Sequence, residues 1–181
     1  MAKLKEHIGR KILKHKKRGI NRDVRVHNFD TAKTAVILFD TGNTASFEVI
    51  HEFRKFMEKK GIKCRAYGYV AQKEIPQEML FRKRYAFISR SDLNWYMKPS
   101  GEAVDSFYGS EPDILVDFTP DMPLELQFLV QLSNASFKVG CFTEADNDYD
   151  MMINLTGQND TGFLAEQFKL YIAMLTPTKN R

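Results

Sequence analysis

The stretch TAVILFDTGNTASFEVIHEFRKFMEKKG, residues 34–61, decides the fold. Ala35, Val36, Ile37, Leu38 and Phe39 form an unbroken apolar run that stops at Asp40, the pattern of a strand covered on both faces in a parallel sheet. After a polar turn, Phe47, Val49, Ile50, Phe53, Phe56 and Met57 recur at spacings of three and four. Glu48, Glu52, Lys55, Glu58 and Lys59 fall on the opposite face, so a helix follows. Thr44 or Ser46 can cap its start, and Lys59, Lys60 and Gly61 supply the cations and the left-handed stop of its end. The unit is a βα unit. In open α/β sheets ligands gather beyond the carboxyl ends of the strands, which directs attention to Asp40, Thr41, Gly42, Asn43 and Thr44.

The pattern continues outward from there. Residues 62–70 alternate as a second strand, 85–88 form a third, and DILVDF at 113–118 is a second near-continuous apolar strand that again ends on an acid, Asp117. Residues 137–142 and 151–155 supply two more strands, and apolar spacing predicts helices over 102–108, 124–135 and 163–175. This order predicts an α/β fold, a three-layer, doubly wound and mostly parallel sheet of five to six strands, Rossmann-like or flavodoxin-like. The link between the last two strands is about seven residues, shorter than the dozen or so that a parallel crossover usually takes, which leaves an antiparallel last strand open. With a switch point between the first and fourth strands, Asp40 and Asp117 face one crevice, with Thr41, Asn43, Thr44 and Thr119 around them. Two carboxylates there suit Mg²⁺ or the hydroxyls of a sugar; the competing reading is that each acid caps its own turn.

Charge divides the 181 residues. Residues 1–26 hold ten Lys or Arg against two acids, +8, and the remaining 17 basic and 21 acidic residues give −4. The division expected is a basic amphipathic helical arm over 1–26 and a single α/β domain over 27–181. Leu4, Ile8 and Ile12 lie on one line of that helix, and Lys11, Lys14, Lys16, Lys17 and Arg18 cover the rest. Such a helix either packs on the domain with its cations in water, or docks on an anionic partner, RNA, DNA or a membrane surface. The longest apolar run is far below the roughly 20 residues that span a bilayer, and the leader interleaves cations with its apolar residues, unlike a secretory signal. Cys64 and Cys141 both fall in strands, where free thiols are commonly buried, so a reduced cytoplasmic protein is expected.

Motifs exclude more than they assign. The turn after Phe39 resembles the nucleophile loop of haloacid-dehalogenase-like phosphatases, but the second acid of that loop is Gly42 here. It matches neither G-x-G-x-x-G nor G-x-x-x-x-G-K-[ST], so no cofactor is expected. Response-regulator receivers need an acidic pair after the first strand, and only Asp40 is present. Asp146, Asp148 and Asp150 have the spacing that opens a calcium loop, yet Met151 stands where glycine is required, and no metal site is expected. Residues 94–101, which carry the lone tryptophan Trp95 and a Pro-Ser-Gly break, form a candidate lid or binding loop, with Trp95 plugging the core as the alternative.

Val36 to Asp40, Ser91-Asp92-Leu93-Asn94-Trp95, Pro112 to Thr119, Leu132 to Gly140 and Tyr149-Asp150-Met151-Met152-Ile153 together resemble a bacterial protein family known as a domain of unknown function. The Asp-Leu-Asn-Trp loop and the Phe-Lys-Val-Gly strand are the signature. The resemblance implies a cytosolic single domain and carries no activity. The order DILVDF, helix, FKVG is also similar to the amino-terminal half of heptosyltransferase-type glycosyltransferases. Those enzymes bind the sugar nucleotide mainly in a second domain, for which this length leaves no room, so at most a half-site is expected. The leading expectation is a non-catalytic binding or adaptor domain. The alternatives are a small-molecule binder or enzyme for a nucleotide or sugar phosphate using the strand-end crevice, and a nucleic-acid or membrane-docking factor using the basic arm.

Overall fold

In chain order the elements are α1 (Ala2–Lys17), β1 (Thr34–Asp40), α2 (Thr44–Lys59), β2 (Lys63–Val70), α3 (Gln77–Leu80), β3 (Tyr85–Ser89), α4 (Glu102–Tyr108), β4 (Ile114–Asp117), α5 (Leu124–Leu132), β5 (Phe137–Cys141), β6 (Met151–Ile153) and α6 (Thr161–Met174). The computed structural model of the chain describes residues 2–42, 44–155, 157 and 160–177, and for residues 2 and 44–46 the backbone alone. The sheet has six strands in the order β3-β2-β1-β4-β5-β6, and every neighbouring pair is parallel. Sequence order therefore reverses between β1 and β4, which is the switch point of a doubly wound sheet.

Both faces of the sheet are covered, as the apolar runs require. Ala35, Ile37 and Phe39 of β1 pack with Phe47, Ile50, Phe53 and Met57 of α2 and with Leu164 and Phe168 of α6. Val36 and Leu38 point the other way, to Val104 and Phe107 of α4 and Leu126, Leu129 and Val130 of α5. The period-two alternation of a strand thus feeds two separate cores from one run of five apolar residues. Asp113 ties the amino edges together: its Oδ2 accepts from the backbone N–H groups of Lys33 at 2.7 Å and Thr34 at 2.9 Å.

The last strand is parallel to β5, so the antiparallel alternative is excluded. The reason is geometric. β6 begins opposite Val139, two residues short of the end of β5, so the chain returns only about 7 Å along the strand direction. The nine residues 142–150 between the strands reach several times that distance without a helix. The helix predicted over 124–135 stops at Leu132, where Ser133 turns extended and its Oγ accepts from the Ala135 N–H at 3.2 Å.

Helix α1 lies on α5. Leu13 is buried with Leu124 and Phe128, and Ile12 packs against them, whereas Leu4 is 62% exposed. The seam runs through Gly9, Ile12 and Leu13 instead of along the line of Leu4, Ile8 and Ile12. Gly9 decides it: a Cβ there would stand 2.4 Å from the Tyr96 carbonyl oxygen and 2.6 Å from Leu124 Cδ2, so only glycine allows this approach. No helix among the described residues is long and apolar enough to cross a membrane.

Candidate functional site

The two strand-end acids part company in the structure. Asp117 pairs in register with Leu38, so Asp40 lies two residues further along, where β4 has ended. Asp40 is exposed, and its Oδ1 accepts from the Gly42 N–H at 2.8 Å. Asp117 is fully buried. Its Oδ1 accepts from Thr119 N at 2.9 Å and Thr119 Oγ1 at 2.5 Å, and its Oδ2 accepts from the Tyr149 hydroxyl at 2.6 Å. Both acids thus cap the turn that follows them. Burial raises the Asp117 carboxyl to about 6, against the pull of its three hydrogen bonds. Burial and the neighbouring Asp117 carboxylate hold the Tyr149 phenol well above its ordinary value. Tyr149 comes from the crossover before β6, and its ring occupies the space a side chain at Gly140 would need.

Thr41 is held to β2 instead of reaching across the crevice. Its N–H and hydroxyl both donate to the Tyr69 carbonyl, at 3.0 and 2.9 Å. Thr119 is buried with Asp117. Asn43 and the Thr44 side chain lie outside the described residues. Trp95 is 60% exposed and set edge to face on Tyr96.

Among the described residues an open groove lies beside the crevice at the carboxyl edge. A groove of about 470 Å³ is lined by Lys5, Glu6 and Arg10 of α1, Arg90 after β3, Met97, and Pro123, Leu124 and Glu125 at the start of α5. Tyr69 links it to the switch point, because its hydroxyl donates to Glu125 Oε1 at 2.7 Å while its carbonyl holds Thr41. Burial raises the Tyr69 phenol above its ordinary value, and the bond to Glu125 adds to that. Three cations against two carboxylates leave the lining at +1. Glu6 is paired with Arg10 at 2.7 Å, so Lys5 and Arg90 face a ligand together with Glu125, whose carboxylate keeps its charge while it accepts from the Tyr69 hydroxyl.

The Asp-Leu-Asn-Trp loop sits between Arg90 and Met97, which both line the groove. Asp92 Oδ2 accepts from Ser89 N at 2.7 Å and Ser89 Oγ at 2.9 Å. Asn94 Oδ1 accepts from Tyr96 N and Lys98 N at 3.1 and 3.0 Å. These bonds hold Met97 at a φ of 71°, a left-handed backbone that a Met adopts only under constraint, with its side chain lining the groove.

Of the arm cations, Lys11, Lys14, Lys16 and Arg18 are exposed. Lys17 is engaged: its Nζ donates to the Asn147 carbonyl at 3.1 Å and lies 3.6 Å from both Asp146 and Asp148. The acidic run is an ion network. Arg22 grips Asp150 with two bonds of 2.6 and 2.8 Å, and the fully buried Lys138 donates to Asp148 Oδ2 at 2.6 Å. Burial lowers the Lys138 ammonium to about 8, with Asp148 opposing the shift. Among the described residues no group of three or more His, Cys, Asp or Glu is placed to hold a metal ion.

Met97 falls in the candidate binding loop of residues 94–101, whereas Lys5, Arg10, Arg90, Glu125 and Tyr149 were not singled out from sequence. Arg90, directly after a strand end, carried a positional signal; the α1 residues reach the groove through a helix contact that no local pattern announces. Compared with known protein families, residues 5–175 match the model described as Family of unknown function (DUF6913). The curated proteins contain no match.

Proposed function

Because the chain belongs to that family of unknown function, no activity accompanies the fold, and we propose from the site itself that it is a non-catalytic binding domain for a small organic anion with an apolar body. The observation that carries this reading is the pairing of a sealed switch-point carboxylate with an open groove beside it. Asp117 is held by three donors and covered by Tyr149, so among the described residues the two strand-end carboxylates do not face each other in the open. The groove offers Lys5 and Arg90 to an anionic group and Met97, Pro123 and Leu124 to an apolar one. Phosphates and carboxylates of nucleotides and sugar phosphates share the anionic part of that chemistry. A reducing, cytoplasmic setting accords with two buried free thiols, Cys64 and Cys141, each pushed up to about 12 by burial.

Thermal shift of the intact protein against nucleotides, nucleotide sugars and sugar phosphates tests the reading. A ligand at about a hundred times its dissociation constant adds about 2.7 kcal/mol, a rise of roughly 5–10 °C at this size. The rise is expected to vanish in Lys5→Ala/Arg90→Ala and to survive in Asp40→Ala. The reverse dependence moves the ligand to the strand-end crevice and overturns this assignment.

A further inference from the structure

A second feature lies at the opposite end of the sheet. Residues 59–65 carry four Lys or Arg, residues 81–84 carry three, and neither segment has an acid. Folding brings the two together: Ala66 N donates to the Arg84 carbonyl at 2.9 Å, which sets Arg84 beside Arg65. Lys63 N donates to the Lys33 carbonyl at 2.8 Å and adds an eighth cation. Two hollows run along this edge. One of about 410 Å³ is lined by Lys63, Arg65, Thr34, Ser106 and Ser110, among others, and one of about 300 Å³ by Lys63, Cys64, Arg65 and Arg84. They share Lys63 and Arg65 in their linings.

The cations are not there to cap helices. The last carbonyls of α2 already accept from Lys60 N, Gly61 N and Ile62 N, and those of α4 from Gly109 N and Ser110 N. Two acids border the patch: Glu58 is bound to Arg54 at 2.7 Å and Arg84 at 3.1 Å, and Asp113 Oδ2 accepts from the Lys33 and Thr34 N–H groups; among the described residues neither forms an ion pair with Lys63, Arg65 or Lys83. Arg84 is held at a φ of 67°, a strained backbone for a side chain of its size. Just before it, Phe81 is 87% exposed, a cost in water that an apolar or stacking partner would remove.

We propose that this amino edge of β2 and β3 is a docking surface for single-stranded nucleic acid. Phosphates lie along Lys63, Arg65, Arg84 and Lys83, the Ser106 hydroxyl, which accepts from Arg65 at 2.8 Å, donates to a backbone oxygen, and Phe81 stacks on a base. A single strand fits better than a duplex because the phenyl face is useful only to an unpaired base.

The test is fluorescence anisotropy of an end-labelled oligouridine of about twelve nucleotides with the full chain. Four phosphate contacts predict an affinity that falls roughly 50-fold between about 50 and about 200 mM salt. Lys63→Glu/Arg65→Glu is expected to remove measurable binding, Phe81→Ala to weaken it about tenfold or more, and Lys11→Glu/Lys14→Glu on α1 to leave it unchanged. Lys63→Ala/Lys83→Ala, at two exposed positions, keeps the test open if the charge reversal unfolds the chain, and should lower the salt slope by about 1.4. Failure of the intact protein to bind at low salt overturns the proposal. So does binding unaffected by the Lys63 variants, equal binding of a duplex, or a preference for phosphatidylglycerol vesicles over the oligonucleotide.

Discussion

The Tyr149 hydroxyl stands 2.6 Å from Asp117 Oδ2 and donates to a carboxylate with no exposure to solvent. Burial outweighs that bond and the two from Thr119, so Asp117 sits at about 6 in the fold against 3.8 for a free side chain. A folded value above the unfolded one means that the folded state binds the proton more tightly. The stability this group adds is therefore complete below 3.8 and lost as pH rises through about 6. Between pH 7 and pH 4 the native protein should gain about 2–3 kcal/mol relative to Asp117→Asn. Urea unfolding of both proteins across that window measures the difference. Parallel pH curves would show that Asp117 is not the group that titrates.

Tyr149 also depends on Gly140. A Cβ at that glycine would lie 2.4 Å from the phenol Cζ, so the ring fills the place of the missing side chain. Gly140→Ala is expected to cost about 1–3 kcal/mol by overpacking. In a Tyr149→Ala background the same change should be nearly free, a coupling of about 1–3 kcal/mol in a double-mutant cycle. Additive losses in the cycle would refute the contact as the cause.

How much of this was legible in the chain differs by scale. The five apolar residues before Asp40 and the near-continuous run before Asp117 announce strands buried on both faces, and the helices between them announce parallel pairing, because the signal is local and periodic. The orientation of β6 was not legible from loop length, since that depends on where along β5 the strand begins, a register that only packing sets. The same holds for the site. Asp40 and Asp117 were readable as strand-end acids, but a two-residue register offset and a tyrosine from a distant crossover decide which is exposed. Asp146, Asp148 and Asp150 suggested calcium by spacing; two of their partners, Lys17 and Arg22, are more than 120 residues away in sequence, and the third, Lys138, lies on the preceding strand. A lysine inside the apolar strand FKVGC was the one local clue that an acid must meet it.

That lysine gives the next expected outcome. Lys138 is fully buried and its Nζ lies 2.6 Å from Asp148 Oδ2, while Asp148 itself keeps 23% of its side chain exposed. Removing the acid strands a buried ammonium, which costs about 3–5 kcal/mol in fully buried pairs and about 3 here, given the partial exposure. Asp148→Ala should therefore destabilise strongly, and Lys138→Met/Asp148→Ala should recover most of the loss. Chemical unfolding of the three proteins decides it. A double variant as unstable as Asp148→Ala would mean that the acid acts through Arg22 and Lys17 and not through Lys138.

Gly9 governs whether α1 stays on the domain. Its missing side chain lets the helix approach the Tyr96 carbonyl and Leu124, and the carbonyl belongs to a backbone pinned by Asn94, so that wall cannot yield. Gly9→Leu must lift α1 from α5, at about 1–3 kcal/mol. Opening by that amount raises cleavage of the open form roughly 5- to 150-fold, so trypsin should cut after Lys11 and Lys14 faster by that factor, with the sheet domain left intact on gels. Lys5 and Arg10 move with α1, and the groove they line should lose its ligand in the same variant. Unchanged proteolysis would show that α1 tolerates a side chain at the seam. Faster cleavage with ligand retained would instead confine binding to Arg90 and Glu125.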